Sequence, residues 1–269
     1  MPVTQKNSAR KVGMRSNIDL ENTIEVVIAI PSYNENASLP LLIQALSPTL
    51  SAKDAVLILD DSSNEVFAAT KLAVVAAFKN SEGFLIFSHY RGKSGRGAAV
   101  RRGMKLSFEH YSKFKYFIEC DADGSHRVED IVKLKDSQSN CDLLIGSRYL
   151  AESEIKGWPL QRKIFSKILN IVIPFVLRIP VKDITNGLRR YSPEAIKQIL
   201  SLEPINKGFT YLSEQAFIVQ SKRLTICETP IVFANRVAGN STVTWNEVLV
   251  SIKGIMSLIF LKKRLRIND

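Results

Sequence analysis

A chain of 269 residues that is 45% apolar and 23% charged has the composition of a folded globular protein with one sizeable core, and nothing in it marks a second independent domain. A net charge of +11 calls for an acidic partner, but no zinc-finger, RNP or similar module interrupts the pattern, so nucleic acid is not expected and anionic small molecules or lipid are preferred. Cys120, Cys141 and Cys227 lie in apolar surroundings without CxxC spacing, which argues for buried free thiols in a reducing compartment.

Residues 1–22 are polar, with Lys6, Arg10, Lys11 and Arg15, and are expected to form a flexible basic arm; without an apolar run they are no secretory signal. An apolar stretch at 25–30 predicts a strand ending in Pro31-Ser32-Tyr33-Asn34-Glu35, followed by a helix from near Leu39 capped by Ser38 or Asn36. A strand at 55–59 ends in Asp60-Asp61-Ser62-Ser63, and a helix over 65–78 follows. After a strand at 84–87 comes the basic loop 91–97, which invites two false readings. Gly92-Lys93-Ser94 lacks the earlier glycine of a phosphate-binding loop, where Phe87 stands, and Gly95-Arg96-Gly97 lacks the third glycine of a dinucleotide fingerprint, where Val100 stands. What remains is a flexible loop whose amides, Lys93 and Arg96 can meet a pyrophosphate.

A helix over 98–111, an apolar run from Tyr116, a helix over 128–137 and a strand at 142–145 complete an alternation that predicts a mostly parallel sheet flanked by helices on both faces. The run from Tyr116 ends in Asp121-Ala122-Asp123-Gly124-Ser125-His126. Two carboxylates one residue apart at a strand's carboxyl end seat Mg²⁺ or Mn²⁺, which fills its shell with water and substrate phosphate. Ligands in open α/β sheets bind beyond the carboxyl ends of the strands, so three polar strand ends point at one site.

These three strand ends, in this order, resemble the family 2 glycosyltransferases of the GT-A (Rossmann-like) fold, with Ser62 where the family form has glycine. Gly146-Ser147-Arg148-Tyr149, Gly157-Trp158-Pro159, Arg162-Lys163 and the run 183–191 narrow the likeness to the polyprenyl-phosphate sugar synthases, of which dolichyl-phosphate mannose synthase is the type. The resemblance implies an inverting, metal-dependent enzyme that moves mannose or glucose from a GDP- or UDP-hexose to polyprenyl phosphate, working peripherally at the cytoplasmic face of a membrane. It also leaves room for a membrane-anchoring partner subunit.

The same likeness assigns roles. Asp123 is the first-choice metal ligand; Asp121 binds the ion directly, through water or on the ribose side, and Ser125 is a weak or water-mediated partner. Pro31, Tyr33, Glu35 and Asp61 form the base and ribose wall, Lys93 and Arg236 meet the diphosphate, and Arg148 and Arg162 hold the acceptor phosphate. Glu214, outside this set, is open to contact with sugar hydroxyls or to helix packing. Asp183 orients the acceptor or the arginines, or serves as base if the acceptor is a saccharide hydroxyl, because a lipid phosphate is already anionic and needs no base. A family 2 enzyme acting on such a hydroxyl, and a non-catalytic nucleotide- or nucleic-acid-binding protein, stay open as alternatives.

The domain is expected over 23–245, followed by a basic, amphipathic, membrane-associating tail over 246–269. The segments 168–179 and 248–261 are both shorter than the roughly 20 residues that span a bilayer. The second, leading into Lys262-Lys263-Arg264, reads as an interfacial helix drawn to anionic lipid. The first, interrupted by Pro174, suits the interface and the core equally.

Overall fold

The computed structural model describes residues 10–12, 24–79, 81–111, 113–204 and 210–234, with Gly254 and Ser257. The expectations for Arg236, for most of the arm and for most of the tail lie outside the described residues. In chain order the elements are β1 (Arg10–Val12), β2 (Val26–Ser32), α1 (Ser38–Leu46), a 3-10 turn, β3 (Asp54–Asp60), α2 (Asn64–Ala77), β4 (Phe84–His89), α3 (Arg96–His110), β5 (Tyr116–Glu119) and α4 (Val128–Asp136). There follow β6 (Leu143–Ser147), β7 (Glu154–Ile155), α5 (Leu160–Leu177), β8 (Arg189–Tyr191), α6 (Pro193–Leu200), α7 (Tyr211–Ser221), β9 (Ile226–Pro230) and β10 (Val232–Phe233).

The main sheet has the order β1-β4-β3-β2-β5-β8-β6-β9. Pairing is parallel except for β1 on β4 and for β8, which runs antiparallel between β5 and β6. This is the mixed, mostly parallel sheet the sequence predicts. The arm departs from its expectation at three residues: Arg10–Val12 pair with Leu85, Ile86 and Phe87, whose edge strand otherwise leaves backbone groups unpaired.

Both faces of the sheet are buried, which is why β2 and β3 read as nearly unbroken apolar runs. Alternation divides their side chains between two cores. Val27, Ala29, Leu57, Leu59 and Phe117 pack with α3, α6 and α7, while Ile28, Ile30, Val56, Ile58 and Ile118 pack with α1 and α4.

Three local differences from the sequence reading bear on the site. Helix α1 takes Ala37 as its N-cap without a side-chain bond, and the expected cap Ser38 instead donates to Glu35. Helix α3 starts at Arg96, so this residue belongs to the first helical turn and not to a flexible loop. Pro174 does not interrupt the 168–179 segment; it lies inside α5, which ends three residues later at Leu177 and is capped by Arg178 with φ 58°. In the tail, Gly254 is buried so closely against Thr210 that a Cβ there would meet its Cγ2 at 2.3 Å, so the chain touches the globular domain at that point.

Candidate active site

The register of β2 on β3 sets Ser32 beside Asp60, and β2 also pairs with β5, so the three polar strand ends open into one cleft of about 280 Å³. Pro31, Tyr33, Glu35, Asp61, Lys93, Asp121 and Asp123 all line it, as the sequence expects. Lys93 lies 5.0 Å above the Tyr33 ring, so a cation and an aromatic face stand together at the rim.

The two aspartates of the β3 end play different parts. Asp60 faces inward, accepting from Ser32 Oγ at 2.8 Å and from the Ser62 amide at 2.9 Å, and so shapes the turn. Asp61 accepts from Arg102 at 2.7 Å, and from the Ser94 amide and hydroxyl. Its carboxylate thereby ties the 91–95 loop to the sheet, and the donors expected from a base or ribose are here supplied by the protein.

At the β5 end the backbone turns sharply. Gly124 takes φ 77°, a conformation open to glycine, and Asp123 Oδ1 accepts from the Ser125 amide at 3.0 Å. Asp121 pairs with Arg96 at 2.9 Å. Burial disfavours the Arg96 charge, but Asp121, Glu119 and the neighbouring Tyr211 and Tyr191 together outweigh it and hold the guanidinium above the usual arginine range. His126 accepts the Asp121 amide on Nδ1 at 3.0 Å, so the proton is on Nε2, which donates to Asn186 Oδ1 at 3.0 Å. This neutral tautomer makes His126 a strut between the aspartate turn and the segment before β8.

Two hard carboxylates at this turn suit a small divalent ion. The buried Ser125 hydroxyl beside Asp123 has no hydrogen-bond partner among the described residues, an orphan of the kind an ion or its water would satisfy. Among the described residues no cluster of three or more His, Cys, Asp or Glu side chains forms, so such an ion would draw its other ligands from water and substrate.

A second, basic wall is built from Arg148, Arg162 and Asp183, which are not among the residues that line this cleft. Arg148, just after β6, is buried, and its Nε and Nη2 meet Asp183 at 2.7 and 2.8 Å while its amide donates to the same carboxylate at 2.9 Å. Nη2 also donates to Thr185 at 2.7 Å. Burial again opposes the charge, and Asp183 again prevails, raising the Arg148 pKa. Asp183 is wholly buried and engaged on both oxygens, so it holds Arg148 in place and is not presented to the cleft as a base. Arg148 also lies against Trp158 and Phe233, at 5.2 and 5.3 Å, and Arg162 in α5 stacks on Trp158 at 3.9 Å.

The walls touch through aromatics: Phe233 meets both His126 and Trp158 edge-on, each at 5.3 Å. Asn170 locks α5 to the Asp183 segment, accepting the Ile184 amide at 2.8 Å and donating to Thr185 Oγ1 at 2.9 Å. Away from this joint, Leu160, Ile164, Ile168, Ile171, Val172 and Phe175 form an exposed apolar stripe at helical spacing. Exposed Lys163 and Lys167 flank it, and α5 contains no acidic residue.

Sequence reasoning named seven residues that line the cleft but missed several that stand behind them. Glu119, buried behind the aspartates, accepts from Tyr191 at 2.9 Å and Tyr211 at 3.1 Å, and burial raises its pKa against the pull of Arg96 and Arg189. Arg189 donates to three backbone carbonyls, those of Ile184, Asn186 and Leu212, bracing the same segment from within. Glu214 lies apart from the cleft, lining a second, small cavity with Gly97 and Arg101. The signal for these supports was weak, because a charged residue in an apolar run reads alike whether it faces a ligand or a carbonyl.

The architecture is that of a GT-A glycosyltransferase: a mostly parallel sheet with an acidic turn at the carboxyl end of a central strand. Residues 27–200 match the family described as glycosyl transferase family 2, and the chain belongs to that family. It is 29% identical over 227 residues to a polyprenol monophosphomannose synthase of Mycolicibacterium smegmatis, covering 84% of this chain and 83% of that protein. It is 31% identical over 219 residues to an undecaprenyl-phosphate mannosyltransferase of Micrococcus luteus, covering 81% and 87%. In fold it resembles glucosyl-3-phosphoglycerate synthase of Mycobacterium tuberculosis, crystallised with Mn²⁺, UDP and glucosyl-3-phosphoglycerate, with a TM-score of 0.58 at 16% identity over 92% of this chain and 84% of that one. A second crystal structure of that synthase, with Mg²⁺ and UDP, gives 0.55 at 15% identity over 88% and 79%.

Proposed function

We propose that this glycosyltransferase moves a hexosyl group from a GDP- or UDP-hexose to a polyprenyl phosphate, with inversion, at the cytoplasmic face of a membrane. The observation that carries this reading is the pairing of Arg148 and Arg162 on Trp158, with Asp183 spent on Arg148. Guanidinium groups attract a phosphate monoester, and an acceptor that arrives as an anion needs alignment and no base. The names of the two relatives at about 30% identity support the same acceptor class.

The donor occupies the acidic cleft. Tyr33, Glu35 and Pro31 bound the base and ribose, and Lys93 neutralises diphosphate charge from the rim. Asp61 keeps the 91–95 loop closed on that pocket. Asp121 and Asp123, with Ser125 beside them, would hold Mg²⁺ or Mn²⁺, which when bound stabilises the negative charge growing on the leaving diphosphate. Arg148 and Arg162 orient the acceptor oxygen toward the anomeric carbon on the face opposite the leaving group. A single in-line displacement then inverts the configuration.

The exposed stripe of α5, flanked by Lys163 and Lys167, supports contact with an anionic bilayer, with Arg162 of the same helix near the headgroups. No described helix is long and apolar enough to cross a membrane. The deciding assay incubates purified protein with a panel of nucleotide-sugars, polyprenyl phosphate and Mn²⁺, then identifies the lipid product and its anomer. Formation of a polyprenyl-phosphate hexose supports the reading; transfer only to a saccharide hydroxyl overturns it.

A further inference from the structure

Arg96 reads in the sequence as a cation for a pyrophosphate, yet in the structure its guanidinium is engaged inside the protein. Nη1 pairs with Asp121 at 2.9 Å, while Nη2 donates to the Gly187 carbonyl at 3.1 Å and lies 4.0 Å from the buried Glu119 carboxylate. The side chain starts from the first residue of α3, and its guanidinium carbon lies 5.9 Å from the centre of the Tyr211 ring. Gly187 has no Cβ, which lets the guanidinium lie directly on the backbone there. The side chain is 20% exposed, Arg96 lines the same cleft as Asp121 and Asp123, and its Nε is buried without a hydrogen-bond partner among the described residues.

This sets a fixed positive charge on a carboxylate that the donor reading gives to a divalent ion. A guanidinium and an ion on one carboxylate compete for its oxygens and repel each other, and the ion's own charge is the larger of the two. Contacts with Gly187, Glu119 and Tyr211 hold the guanidinium beside the aspartate turn in addition to the pair with Asp121. A diphosphate changes the balance. Its oxygens accept from a guanidinium and ligate a hard divalent ion at the same time, so the charge that opposes the ion alone favours ion and diphosphate together.

We infer that Arg96 is a positioning residue that serves as a resident counter-ion of Asp121 and makes divalent-ion binding conditional on a diphosphate. The inference rests on the donor-site reading above and adds an order to it: ion and diphosphate arrive and leave as a unit, and the protein alone retains little of either. Linkage makes the effect reciprocal, since whatever the nucleotide does for ion affinity the ion does for nucleotide affinity. An uncharged side chain at this position would remove the competition and let the ion bind by itself.

The test reads metal binding, so that it does not depend on turnover. Mn²⁺ is titrated into wild type, Arg96→Met, Arg96→Lys and Lys93→Met, with and without saturating UDP or GDP, and unbound Mn²⁺ is followed by electron paramagnetic resonance with allowance for the nucleotide complex in solution. Wild type should bind Mn²⁺ about 5- to 150-fold more tightly with a nucleotide present. Arg96→Met should raise the Mn²⁺ affinity of the protein alone about 5- to 50-fold and narrow that gap, while Arg96→Lys, which keeps the charge, should stay within about 3-fold of wild type. Lys93→Met removes a rim cation from the same cleft and should change the affinity of the protein alone less than about 2-fold. Unchanged or weaker Mn²⁺ binding by Arg96→Met would overturn the inference, as would an equal gain from Lys93→Met, since any lost cation would then serve. Melting temperatures are read on the same samples. Should Arg96→Met fail to fold with Glu119 left buried, Arg96→Met/Glu119→Gln carries the comparison, and wild type binding Mn²⁺ equally with and without nucleotide sinks the inference without any variant. If wild type binds no Mn²⁺ even with nucleotide, the metal role and this inference fail together; if the coupling holds but lipid receives no sugar, the acceptor reading fails and this one stands.

Discussion

The acidic wall of the cleft is assembled from neighbours in one parallel sheet, whereas the basic wall gathers Arg148 from the end of β6, Trp158 and Arg162 from the start of α5, and Asp183 from the segment before β8. In the first, register alone brings the carboxylates together, because every strand ends at the same edge. In the second, side-chain contacts do that work: a bidentate ion pair, a shared indole and the Asn170 joint. The acidic wall should therefore lose function without losing structure when a side chain is changed. The basic wall should lose both.

The sharpest way to break that contrast is Arg148→Ala. It strands the buried Asp183 carboxylate, and removing one partner of such a pair typically destabilises by about 3–5 kcal/mol. Thermal unfolding should register this, and Arg148→Ala/Asp183→Asn should regain part of the stability but none of the transfer activity. Full stability in the single variant would place the two walls on the same footing.

Asp123→Asn is the counterpart in the acidic wall. Transfer should fall by at least about 10²-fold as donor binding loses its Mn²⁺ dependence, while the melting temperature stays near wild type. Transfer at the wild-type rate, measured with saturating donor, would remove the metal role given to the aspartate turn.

Gly187→Ala tests where the walls meet. A Cβ at this position would sit 2.1 Å from Arg96 Nη1, while the Gly187 carbonyl accepts from Nη2 at 3.1 Å, so Arg96 must leave Asp121 or the segment must shift. Overpacking of this kind costs about 1–3 kcal/mol. Reduced donor affinity together with a lower melting temperature is the expected result, and an unchanged protein on both measures would mean the contact gives way freely.

The smallest effect concerns the scaffold of the basic wall under acid. Burial pushes the Asp142 carboxyl up, but hydrogen bonds from Thr225 and Ser192 outweigh it and hold it below its ordinary value of 3.8. A depressed carboxylate stabilises the fold fully above that value and loses its contribution as pH falls through the lower folded value. Asp142→Asn should thus flatten the acid limb of a stability-against-pH curve slightly and leave the curve above pH 5 unchanged in shape. An identical acid limb in variant and wild type would show that Asp142 is not linked to folding.

Much of this was legible in the chain. The mostly parallel sheet followed from apolar runs and βα alternation, and seven expected residues line one cleft because their strands end together. What escaped was orientation: Asp183 reads equally as base or anchor in the sequence, and in the structure it is buried against Arg148, while Arg96 read as a loop cation until the helix began at it. The α5 segment was undecidable by hydropathy because the helix does both things, burying Asn170, Ile173 and Leu177 while exposing Ile168, Ile171 and Phe175.

The two margins of the main sheet carry a further consequence. At one, β1 is three residues long and includes Arg10 and Lys11; at the other, β9 ends in Pro230, which has no N–H to offer. Among the described residues neither margin presents a long bare ladder to another molecule. Many copies crowded on a two-dimensional surface would meet edge to edge far more often than in bulk solution, and these blunted margins would let them collide without zipping into a continuous sheet.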